Sequence, residues 1–318
     1  MSTTRDIING IIQSRSRRKS DSAKLELFMR LSTLERAFEN RRELDAELLK
    51  YFPVALVACL EGYFRLAIKE MIDTGSPFLE RSAGLLRNAK LDFDVLKALH
   101  GKQITIGEFI AHNIPISRLS HINHALSALL GKDMLAELRT VADRWSYEVQ
   151  GNPKTPILSD PDGTYAAVSK TFELRHIICH EMASSYEVEV SDIERGFTAT
   201  AMFLKAGDEL IGETLNPNAP LTQADMNIEA GAQLDAALQE VEALSHNIKN
   251  RLNPERIEQF AKAHAAWRTY METWAQFEAD SYKGGTIWPT IYCGSAAAIA
   301  ESRIDQLKEY LRSYGLAG

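Results

Sequence analysis

Leu25, Phe28, Leu31, Leu34 and Phe38 recur at three- and four-residue steps through a segment dense in Glu, Arg and Lys, which predicts an amphipathic helix. Next comes YFPVALVACLEGYFRLAIKEMIDTG, residues 51–75, apolar on nearly every side. A helix of that composition belongs at the centre of a bundle, and Gly75 with Pro77 just beyond marks its end. Residues 117–147 predict one or two further helices, broken at Gly131. A stretch rich in Pro, Gly and Asp, GNPKTPILSDPDGT at 151–164, reads as a loop that delivers the chain into a helix around Arg175. Two more helices are predicted over 192–212 and 222–251. The second starts behind Thr222, with Asp225 three residues on, close to a capping pattern. Strand-like alternation never persists for more than a few residues, so the expected fold class is all-α. Asn253-Pro254 is the expected domain boundary, with Pro254 suited to opening a helix.

At 318 residues, 45% of them hydrophobic and 25% charged, the chain has room for two domains and a sizeable core. Its formal net charge of -7 excludes a generally basic nucleic-acid coat, so any contact with nucleic acid must use a local patch. One candidate is the N-terminus. Residues 1–19 hold Arg5, Arg15, Arg17, Arg18 and Lys19 against Asp6, five minus one, and read as a solvated basic tail. The expected division is thus 1–19, 20–252 and 253–318. No run of 18 apolar residues predicts a membrane span, and MSTTRDIINGIIQSRSRRKSD lacks the order of a secretory signal. Cys59, Cys179 and Cys293 form neither a disulfide framework nor a CxxC knuckle. Together these features predict a cytoplasmic protein without membrane contact.

Chemistry concentrates in TFELRHIICHEMASSYE, residues 171–187. On a helix, Leu174, Ile177 and Ile178 share an inward side, while Arg175, His176, Cys179 and His180 share the other across roughly 140°. His176 and His180, four apart, are direct neighbours. Arg175 and His180, five apart, diverge too far to grip one small group from a single helix. If they act jointly, a second copy must supply the missing half across a two-fold axis. Three readings compete: a polar face that is merely solvated, metal binding by the HxxxH pair with Cys179 or Glu181, and phosphoryl chemistry. In the last, a neutral His takes a proton from a hydroxyl and an Arg neutralises charge growing on a phosphate. Glu61 and Arg65, four apart on the apolar helix, read first as an ion pair and second as a support for the Arg175 helix. Glu181 falls on the apolar side and is a candidate buried partner for such an Arg.

The order R-H-apolar-apolar-x-H-E late in an all-helical segment resembles the R-x4-6-H signature of HEPN-domain ribonucleases. The upstream helix ALVACLEGYFRLAIKEM looks like an earlier core helix of that family, and the likeness covers roughly residues 20 to 250. The resemblance implies an endoribonuclease that works without a cofactor or metal, as a homodimer whose cleft is lined by both copies of the motif. Arg175 and His180 would be its catalytic pair: His180 the acid/base, Arg175 the stabiliser of the pentacovalent phosphate. His176 would orient groups or bind phosphate. Such proteins serve as toxins or phage-defence effectors with an antitoxin or other partner protein. Some are silenced by modification of a Tyr two residues past the motif His, where this chain has Met182. The alternative from another class is a non-catalytic scaffold that binds RNA, nucleotide or protein.

Trp267, Tyr270, the Gly284-Gly285 turn, Tyr292, Arg303 and Leu307 predict a helical hairpin, and the pattern resembles lysozyme-inhibitor proteins of the LprI type. Aligned on Trp267 and Arg303, Ala275 and Ser295 stand where that family has a cysteine pair, and Ala300 replaces a Thr. The resemblance therefore implies a hairpin without its disulfide, fitting a reducing compartment and an assembly or partner-binding role.

Overall fold

The structure is a computed structural model that describes residues 4–19, 22–41, 45–86, 92–181, 186 and 188–313. Among the described residues the fold is all-α, as the sequence pattern predicts, with no strand beyond an isolated bridge between Ala142 and Pro156. The chain divides into two compact units, Met1–Pro217 and Asn218–Gly318.

In the first unit, α1 (Thr4–Ser16), α2 (Ala23–Glu39), α3 (Ala46–Leu49) and α4 (Tyr51–Asp73) are followed by short helices α5 (Phe78–Arg81), α6 (Phe93–His100) and α7 (Ile106–Asn113). Then come α8 (Leu119–Leu130), α9 (Met134–Leu138), α10 (Pro161–His180) and α11 (Val190–Leu215). The nearly all-round apolar α4 occupies the centre, with α2, α7, α8, α10 and α11 packed on it. Leu60, Phe64, Ile68, Met71 and Ile72 are fully enclosed. By length and composition this helix could cross a membrane, but 61% of its most apolar window is buried in the unit's own core. Truncating one such Leu to Ala would cost about 2–5 kcal/mol.

Gly131, at φ +75°, ends α8 where the sequence predicts a break. Gly107 lets α7 approach α4: a Cβ there would collide with the Lys69 carbonyl and lie 2.6 Å from Asp73 Oδ1. Helix α10 starts at Pro161, inside the expected loop, because Asp160 accepts from Gly163 N and Pro161 occupies the first turn. The apolar row expected on α2 is only partly internal. Leu25 and Phe28 face solvent, while Phe38 stacks on Phe197 with ring centroids 4.3 Å apart.

Residues 1–19 depart from the expected solvated tail. From Thr4 to Ser16 they form α1, which buries Ile8 and Ile11 against Val95, Ile104 and Phe109. The charge count saw the arginines but not the period that places two isoleucines on one helix face.

The second unit contains α12 (Gln223–Lys249), α13 (Pro254–Ala279) and α14 (Trp288–Ser313). Thr222 caps α12 by accepting from Asp225 N, as its spacing predicts, and Asn253 caps α13 ahead of Pro254. The expected boundary at 252/253 is corrected. It falls between two helices of this unit, because α12 packs on α14 through Ala237, Val241, Ile248, Ala296 and Ala300. What reads from sequence as a hairpin is a three-helix unit.

Candidate functional site

Helix α10 turns Val168, Thr171, Phe172 and Leu174 into the core. Its inner surface lies close to α11 at Thr171, whose hydroxyl returns to the Ala167 carbonyl at 2.9 Å and faces Gly196. That anchoring fixes the last turn and a half, where the candidate chemistry sits.

Arg175 points toward α4. Its Nη2 lies 3.5 Å from Glu61 Oε1, and both side chains are 28% exposed. The i, i+4 pairing of Glu61 with Arg65 is thereby corrected, since the ion pair within reach joins α4 to α10 instead. Glu61 lies against Arg175, the contact that the second sequence reading requires. Arg65, one turn further on, donates from Nη1 to the carbonyls of Ala111 and His112, the latter at 3.2 Å. These are among the last carbonyls of α7, which lack helical partners. Burial lowers the Arg65 pKa, the Glu61 charge opposes that shift, and the Arg18 charge adds to it.

His176 and His180 stand side by side on the exposed face, ring centroids 5.2 Å apart and planes tilted by 46°. Glu181 does not bury itself against an arginine. It ends the helix in solvent, with Oε1 3.9 Å from His176 Nε2, because the chain has already left the inward-facing turn. At 64% and 52% side-chain exposure that pair contributes little. The two isoleucines are half-buried and Cys179 is exposed with a free thiol. His176 and His180 gather no third metal-ligating side chain among the described residues. Met182 lies outside the described residues.

Within one chain, then, the structure joins Arg175 to Glu61 and His180 to His176. It does not bring Arg175 and His180 together. The helix is regular through both, and their directions differ by about 140°.

Sequence reasoning missed a second group of cations beside this site. Lys69 continues the Glu61–Arg65 row of α4 by another four residues. Arg18 reaches the same place from just past the end of α1 and His112 from the end of α7. His112 keeps part of its side chain in solvent, but burial and then the Arg65 charge hold its imidazole below the ordinary value. The four-residue spacing of Lys69 was legible; the approach of α1 was not. A larger groove of about 770 Å³ runs between the first halves of α10 and α11, over Leu158, Ala167 and Met202. None of Arg175, His176 and His180 lines it, and its rim charges are satisfied as Lys170–Glu173 and Arg195–Asp192.

Residues 216–307 match the family lysozyme inhibitor LprI. The matched segment begins two residues before the second unit, runs through α12 and α13 into α14, and ends at Leu307. Comparison with curated proteins and with solved structures gives no match.

Proposed function

We propose that this chain, which carries an LprI-family domain at 216–307, is through its first unit an endoribonuclease of the HEPN type, acting in the cytoplasm as a homodimeric toxin or phage-defence effector. The observation that carries the reading is the Arg175 guanidinium, held half-buried at the end of α10 by Glu61, beside two adjacent exposed histidines. A fixed cation at a partly desolvated position is suited to charge developing on phosphate, because it needs little reorganisation at the moment of reaction. His180 takes the proton from the 2′-hydroxyl of RNA. The freed oxygen attacks phosphorus, and the 5′-oxygen leaves with a proton returned by an imidazolium. The products are a 2′,3′-cyclic phosphate and a 5′-hydroxyl. His176 holds a non-bridging oxygen. Arg175 comes from one copy and His180 from the other, since one helix turns them apart. The LprI-family domain serves assembly or partner binding, because Ala275 and Ser295 supply no disulfide to stiffen it.

The second reading, a non-catalytic scaffold, is favoured by the same ion pair, which could tie α4 to α10 without any chemistry. Purified protein incubated with total RNA in EDTA separates the two. The ribonuclease cuts RNA in the presence of chelator and leaves DNA whole, because DNA has no 2′-hydroxyl. Cleaved DNA would contradict the mechanism, and untouched RNA would favour the scaffold.

A further inference from the structure

Glu61, Arg65 and Lys69 form one row on α4, each step about 6 Å along the axis. Beyond Glu61 the row runs into a small pocket where α1, α4 and α7 meet, with a volume of about 20 Å³. A cavity needs about 10–15 Å³ to hold one water-sized atom, so the enclosed part admits a single oxygen. Arg18, Arg65, Lys69 and His112 line it.

The partners of these groups are uneven. Arg65 is engaged by two α7 carbonyls, and Lys69 by Asp73 at 3.8 Å. The pocket's own carboxylate, Glu108, accepts from Arg15 on both oxygens and from Thr105 N. Arg18 differs: its Nη2 meets only the Ser14 hydroxyl at 3.3 Å, and its Nη1 is buried with no hydrogen-bond partner among the described residues. With Glu61 committed to Arg175, Arg15, Arg18, Arg65 and Lys69 against Asp73 and Glu108, four minus two, leave two positive charges. Arg18 is only partly buried, but an unfilled donor at its enclosed Nη1 is still costly, and an oxyanion is the group that satisfies several such donors at once.

We propose that this pocket binds a phosphoryl group, with one oxygen entering beside Arg18 and the others held at the mouth near Lys69. The row on α4 links it to the candidate catalytic site, since Arg65 stands one turn from the Glu61 that holds Arg175. The phosphate it takes is therefore one flanking the scissile linkage of an RNA strand. That source, unlike the oxyanion site itself, rests on the ribonuclease reading.

The test uses the full chain with two probes, inorganic phosphate and a 2′-O-methyl RNA that cannot be cut. Phosphate should raise the melting temperature of the wild type and leave Arg18→Gln unmoved. The ligand-free variant should melt no lower than the wild type, because it loses an unfilled donor. RNA affinity should drop severalfold in Arg18→Gln. Its dependence of log K on log salt should flatten by about 0.7 for one lost single-strand phosphate contact. Lys69→Gln should weaken both probes, and Arg18→Lys should restore part of each. Phosphate without effect on the wild-type melt, together with unchanged RNA affinity and salt slope in both Gln variants, overturns the site. RNA held through Arg18 but never cut in its natural form keeps the subsite and ends the ribonuclease reading. Phosphate bound through Arg18 without any RNA binding overturns the assignment to RNA.

Discussion

Arg175 is the residue on which the candidate chemistry turns, and its neighbour is instructive. The i, i+4 rule directs Glu61 to Arg65, yet Glu61 meets Arg175, 114 positions away. On a helix as apolar as α4 each polar side chain goes to whatever partner the neighbouring helix brings up, and that information is not local. The motif itself was legible in RHIICHE; Glu61 was legible only as a second choice for its support, behind the local pairing with Arg65. Exchanging Glu61 for Gln should therefore separate two effects. The pair is partly exposed, so denaturant melts should show a loss of less than about 1 kcal/mol. RNA cleavage should fall roughly tenfold or more as Arg175 loses its fixed position. Unchanged cleavage would mean that the pair serves only to join helices. A second residue gives a pH signature. Burial raises the Glu209 carboxyl above its ordinary 4.5, against the Arg144 N–H that donates to it, and the Asp143 and Glu213 charges raise it further. The folded state thus keeps a proton that the unfolded chain has released, and stability is lost as pH rises from 4.5 through the folded value. Glu209→Gln should be more stable than the wild type at pH 7 and lose that advantage below pH 4.5 in thermal melts. An equal difference at both pH values would contradict the assignment.

At the scale of elements, the long periodic helices were readable because a continuous apolar stripe leaves one face to bury. α4, α11 and α12 follow directly from their patterns. The short helices α5, α6 and α7 were not anticipated, since each is too brief for its period to stand out. α12 was read correctly as a helix but assigned to the 20–252 segment rather than to the second unit. Its stripe is made of small residues, Ala230, Ala237 and Ser245 among larger ones, which name no partner until the equally small Ala296 and Ala300 of α14 lie against it. That close contact is open to test. Ala300 is fully buried in the second unit's core. Ala300→Met should cost about 1–3 kcal/mol by overpacking, seen as a lower denaturation midpoint. A neutral or stabilising result would mean that α12 and α14 do not meet there.

For the whole molecule, the division between units lies near Asn216-Pro217-Asn218, with Asn218 in the left-handed region at φ 62°. The run NPNAP at 216–220 carries a turn signal of the same kind as Asn253-Pro254, which alone was read as the boundary. Pro254 at the first turn of α13 is equally at home between packed helices of one unit, as it proves to be. The LprI-family match beginning at 216 agrees with the structural division. The central claim is that two copies of this chain complete one another's nuclease site, and mixing inactive subunits tests it most directly. Arg175→Ala and His180→Ala should each lower RNA cleavage by roughly a hundredfold or more while leaving the folded dimer intact. Allowed to exchange subunits, the two variants should recover part of the activity, because the mixed dimer holds one pocket with both groups. Wild-type cleavage by either variant alone, a monomer in solution, or no recovery on mixing would contradict the account.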